Sequence, residues 1–126
     1  MKVGEFKRLF PLFNAENFTD SYADEDLLTR KICAVILHGY LQRTLKEKDE
    51  IDISPAMVLK DIYDCRICAN HIAQVYVKGI MEEGKRVADI VLFDLDKNVS
   101  GEEAEGYINL AITPSLRNRK LPESKE

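Results

Sequence analysis

The sequence has little that would commit it to a familiar chemistry. No apolar run approaches the roughly 20 residues that cross a bilayer. The longest, Ile32 to Leu37, is ended by His38, so a membrane-spanning chain is not expected. Positive charge is not in excess: 18 Lys and Arg stand against 22 Asp and Glu, for a net charge of −4 and a pI near 5.3. Phosphate binding rests on clustered cations, so no nucleic-acid partner is expected. Cysteine is sparse and odd in number, three in 126 residues, which argues against a disulfide framework and for reduced thiols. Residues 1–15 show neither a continuous apolar core nor a small-residue cleavage site, so no signal peptide is visible. The expected compartment is the cytoplasm, or the cell surface if a signal has been removed. There is no glycine-rich phosphate loop, no low-complexity segment and no pairing of serine or cysteine with histidine and carboxylate that stands out, so catalysis is not supported and no cofactor is implied.

What is present suits one folded unit. Hydrophobic residues make up 45% and charged residues 32%, and a chain of this length buries roughly two thirds of its unfolded surface around one core. The pattern predicts a mostly helical single domain over 1–112, with two long antiparallel helices, a third capped helix and at most a short strand, followed by a partly mobile tail over 113–126. The first helix is expected from Leu27 to about Lys48 on the wide apolar face of Leu28, Ile32, Val35, Leu37 and Leu41. The second opens with Ser54 and Pro55, good residues for a cap and a first helical position, and carries Val58, Ile62, Cys65, Ala69, Ile72, Tyr76 and Ile80 at steps of three or four, as one long helix or two separated near Asp64. Ser100 followed by Glu103 forms a capping box for the third, which Pro114 stops. Ahead of these, Phe6, Phe10, Phe13 and Phe18 are expected to fold back as an apolar cap on the core, favouring a monomer, with a homodimer as the alternative.

Two groups of residues raise the question of chemistry. Cys65 and Cys68, with His71 close behind, have the spacing of a redox or zinc motif that Cys33 or His38 could complete. A redox pair needs its thiol at a helix N-terminus, whereas the periodicity sets Cys65 inside a helix, so both cysteines are expected as buried thiols. Asp94, Asp96 and Asn98, with Glu105 further on, are spaced like calcium ligands, but Val99 stands where the calcium loop requires glycine, and an acidic turn is the plainer reading. A small metal-responsive protein or enzyme using Cys65, Cys68 and His71 is the alternative function that these residues define.

Leu28-Thr29-Arg30-Lys31-Ile32 and Val99-Ser100-Gly101-Glu102-Glu103 share an apolar residue, a hydroxyl cap and a helix start, the sign of a degenerate internal repeat. Together with His71 to Met81, which ends in Gly79-Ile80, and with Phe93-Asp94, they resemble the S-layer homology domain. In that family a helix ends in a Gly-Ile pair, a loop brings in an aromatic residue, and a Thr-Arg-Ala-Glu motif starts the next helix. The resemblance covers about 28–45 and 62–112. It implies a noncatalytic binding or interaction module for cell-wall polysaccharide or a protein partner, with Thr29, Arg30, Lys31 and His38 lining a polar groove. The departures are specific. Lys31-Ile32 replaces Ala-Glu in the first copy, Gly101 replaces arginine in the second, and at most two of the usual three repeats are present.

Overall fold

Residues 27–29 carry an apolar-hydroxyl sequence that would extend a helix backwards, yet they run extended because other backbone claims their hydrogen bonds. Leu28 N–H donates to Met1 O at 2.9 Å and Val99 N–H donates to Leu28 O at 2.9 Å, while Lys2 bridges Leu27 and Thr29 bridges Asn98, both antiparallel. The computed structural model, which describes residues 1–11, 18 and 22–120, therefore starts helix α2 at Arg30 and runs it to Arg43. Lys46 then turns through the left-handed region at φ 55°, which ends any continuation towards Lys48. Before α2, the short helix α1 (Val3–Arg8) places Phe6 in the core. Phe10 follows it there, edge-on to Phe6 at 5.1 Å between ring centroids and tilted against Tyr40 at 4.5 Å. The apolar cap expected of the N-terminal phenylalanines is thus formed by Phe6 and Phe10, with Phe18 packed against them half-buried. Phe13 lies outside the described residues.

The expected pair of long antiparallel helices is not formed. In place of one helix from Ser54 onwards the chain makes 3-10 turns at Ser54–Val58 and Ile62–Asp64, and only then helix α3 (Ala69–Val77). Apolar residues three apart suit a 3-10 turn as well as an α-helix, and tertiary pairing decides between them. Leu59 leaves the first turn to bridge Val91, Lys60 N–H donates to Val91 O at 2.9 Å, and the Asp61 carboxylate accepts Phe93 N–H and Asp94 N–H, both at 2.8 Å. A continuous helix would forfeit all of these bonds.

α3 is closed by its C-cap Lys78 and then Gly79, whose φ of +80° and close approach to the Asn118 backbone, 2.6 Å from where a Cβ would stand, admit no side chain. Strands β1 (Lys85–Val87) and β2 (Ile90–Leu92) follow as an antiparallel hairpin in which Val87 pairs with Ile90. Helix α4 (Gly101–Ile112) begins as expected: Ser100 Oγ accepts Glu103 N–H at 3.1 Å and Glu103 Oε1 accepts Ser100 N–H at 3.0 Å. Pro114 opens a last 3-10 turn, Pro114–Leu116. Arg117 then anchors the following segment by donating to Leu110 O, Ala111 O and both carboxylate oxygens of Glu47, at 2.7–2.9 Å. The core lies where α2 meets α3 and α4 and is filled by Leu28, Leu37, Leu41, Ile72, Met81 and Phe93. No helix among the described residues is long and apolar enough to cross a membrane.

Candidate functional site

Of the four residues assigned to a polar groove, three share the first turn of α2 and the fourth does not. Thr29 is the N-cap of α2 by position, but its hydroxyl is buried without a hydrogen-bond partner. Arg30 is buried and spent on the fold. Its Nε donates to Phe93 O at 2.7 Å, its Nη1 to the Tyr107 hydroxyl at 2.9 Å and its Nη2 to Glu82 O, and the guanidinium sits 4.5 Å from the centre of the Phe93 ring. Those contacts tie α2 to α4 and to the loops around the hairpin, and they spend three of the five guanidinium N–H groups on the fold while burying the charge away from any anionic ligand. Lys31 reaches Asp96 at 2.7 Å, so one member of the acidic turn is already paired. His38 lies eight residues beyond Arg30 along α2, about 12 Å at the usual rise per residue, and belongs to a different cluster.

That cluster joins three elements. His38, 1% exposed, has its Nδ1 2.8 Å from His71 Nδ1 and its Nε2 2.6 Å from Asp49 Oδ1. A carboxylate only accepts, so the proton of His38 belongs on Nε2, its Nδ1 accepts, and His71 Nδ1–H donates. The unprotonated Nε2 of His71 is left as a base. Burial, reinforced by the neighbouring His38, pushes the His71 pKa below its ordinary value. Burial by itself raises Asp49, but the hydrogen bonds from His38, Gln42 and Asn70 outweigh it and hold the carboxylate low.

His71 stands in the first turn of α3, and the two cysteines stand just before that helix. Cys68 is the N-cap of α3 and Cys65 follows the preceding 3-10 turn. The expectation of two buried thiols in mid-helix is therefore corrected. Cys65 and Cys68 are joined in a disulfide, Cα to Cα 5.2 Å, with Cys65 half-buried and Cys68 1% exposed. Cys33 is the free thiol, fully enclosed in the core, where burial pushes its pKa up. No group of three or more His, Cys, Asp or Glu among the described residues is placed to hold a metal ion.

Two features escaped the sequence. Lys78, 1% exposed, donates to Lys48 O at 2.7 Å and pairs with Glu47 at 2.8 Å. The second is an apolar outer face. Leu59 and Val91 bridge in parallel with both side chains buried, so Val58 and Ile90, one residue before each, turn outward together, and Val87 joins them as the cross-strand partner of Ile90. The Tyr63 hydroxyl touches Met57 Sδ at 3.4 Å and extends this face. Met57, Val58, Tyr63, Val87 and Ile90 are all exposed. In the sequence Val58 reads as a core position of a helix, and only the register of the bridge reveals that it points outward. No family model, curated protein or solved structure matches the chain.

Proposed function

We propose that this chain is a noncatalytic protein-interaction module, a diverged relative of the S-layer homology domain that docks a protein partner on the face formed by Met57, Val58, Tyr63, Val87 and Ile90. Those exposed apolar side chains, Val87 paired with Ile90 and Tyr63 touching Met57, are the observation that carries the reading, since exposed apolar surface marks association sites in water-soluble domains. The kinship draws support from the side-by-side placement of the two segments that read as repeat copies: Thr29 bridges Asn98, Val99 bonds Leu28, and α2 and α4 both start there. A protein is favoured over polysaccharide because the Arg30 guanidinium, the group expected to meet an anionic sugar, is enclosed by Phe93, Tyr107 and Glu82.

A photo-crosslinking amino acid at position 63, introduced into the intact chain in its native cells, tests the reading. It should give one discrete protein adduct that Ile90→Lys abolishes. Absence of an adduct refutes the reading. So does binding of the purified chain to cell-wall sacculi that is lost in Arg30→Ala and kept in Ile90→Lys.

A further inference from the structure

We propose that Cys65 and Cys68 are a reversible dithiol–disulfide pair that accepts two electrons from a dithiol reductant, an activity separate from docking on the apolar face. The placement of the pair removes the objection that the sequence raised. Cys68 is the N-cap of a nine-residue helix, no side chain caps that end, and the first turn carries no acid. A thiolate on Cys68 would stand at the positive end of the helix dipole. Arg66, exposed between the two cysteines, adds a positive charge to the same turn. His71, three residues along α3 from Cys68, has its Nδ1 proton committed to His38, so its Nε2 is a base in the same first turn.

The two sulfurs are unequal in access. Cys65 is half-buried and Cys68 is almost fully covered, so an incoming thiolate attacks Cys65 Sγ. The Cys65–Cys68 bond breaks and its electron pair leaves on Cys68, the sulfur that the helix end stabilises. The mixed disulfide between Cys65 and the reductant is then attacked by the second thiol of the same reductant. Cys65 departs as thiolate, and the reductant becomes a cyclic or paired disulfide. The protein gains two electrons and, once both thiolates are protonated, two protons; the reductant loses the same. A purely structural staple is the weaker reading, because a bond spanning residues 65–68 closes so short a loop that it restricts the unfolded chain far less than a long-range bridge would. Cys33 cannot compete from inside the core.

The test treats the native, full chain with dithiothreitol and then with N-ethylmaleimide. The mass should rise by two maleimides, mapped to Cys65 and Cys68, with Cys33 unlabelled and the far-ultraviolet circular dichroism retained. Glutathione disulfide should then restore the unlabelled mass in a second, unalkylated sample. Single variants check the order of attack, since both leave one thiol at the site: Cys68→Ser should react with an aromatic disulfide reagent at least tenfold faster than Cys65→Ser. Reduction that occurs only in denaturant, or that melts the helices, would show a structural staple and overturn the proposal. Equal rates for the two single variants would overturn the assigned roles of the sulfurs.

Discussion

Replacing Glu47 with glutamine keeps the shape of the side chain and removes its charge, and the structure sets what that costs. Glu47 accepts from Arg117 Nη1 at 2.7 Å and Nη2 at 2.9 Å and pairs with Lys78 Nζ at 2.8 Å. The Lys78 and Arg117 side chains are 2% and 3% exposed. Removing one partner of a buried ion pair costs about 3–5 kcal/mol. Here Lys78 keeps the Lys48 carbonyl and has Glu50 at 3.5 Å, so the lower end, about 3 kcal/mol, is expected for Glu47→Gln. At roughly 3–5 °C per kcal/mol for a chain of this size, the melting temperature should fall by about 10 °C, read by circular dichroism and checked by urea titration. The pH dependence has a definite sign. Burial alone pushes the Glu47 carboxyl up, but Arg117 and Lys78 outweigh it and hold it below its usual value. The unfolded chain therefore binds the proton more readily, and the stabilisation is present above the unfolded carboxylate pKa of about 4.3 and lost as pH falls below it. Glu47→Gln should flatten that acid limb. A loss under about 1 kcal/mol, or an unchanged acid limb, would refute the reasoning and assign the compensation of Lys78 to Glu50.

Three further outcomes follow from named contacts. Ser100→Ala should cost roughly 0.5–2 kcal/mol in denaturant unfolding, because the cap bond to Glu103 N–H is made in the structure. Arg30→Met should cost roughly 2–4 kcal/mol by leaving Phe93 O and Glu82 O without their donors, and Arg30→Lys should recover little of it, since an ammonium cannot span three acceptors in a fixed fork. The lowered pKa of His71, caused first by burial and then by His38, means that the unfolded chain takes up its proton first. Stability should therefore decline as pH falls from 7 through the ordinary histidine range near 6.5, and His71→Gln should remove that slope in melting temperatures measured between pH 7.5 and 5.5.

The parts of the fold set by local chemistry were legible in the sequence. Ser100 and Glu103 are three residues apart and satisfy each other's backbone, so the start of α4 could be read directly. The segment 54–80 was misread because its apolar spacing fits two periods, and the choice between them rests on Asp61 capturing Phe93 N–H and Asp94 N–H from more than 30 residues away. That single error carried into the site. With Cys65 assigned to mid-helix, the pair looked like packing, whereas the break in the helix moves Cys68 to the N-cap of α3. The sequence offers His38 as a zinc ligand beside Cys65, Cys68 and His71 or as a lining of the polar groove, whereas its contact with His71 depends on α2 packing against α3 and on Asp49 returning from the loop after α2. The buried Lys78 had no signal at all, since a lysine next to Gly79 reads as a solvated helix end.

The most direct test of the docking face measures stability and partner capture in one variant, Val58→Lys with Ile90→Lys, beside the unsubstituted chain. Both side chains are exposed in the free protein, so unfolding free energy should change by less than about 1 kcal/mol, while the crosslinked adduct formed from position 63 should disappear. Retention of the adduct, or its loss together with several kcal/mol of stability, would contradict the account.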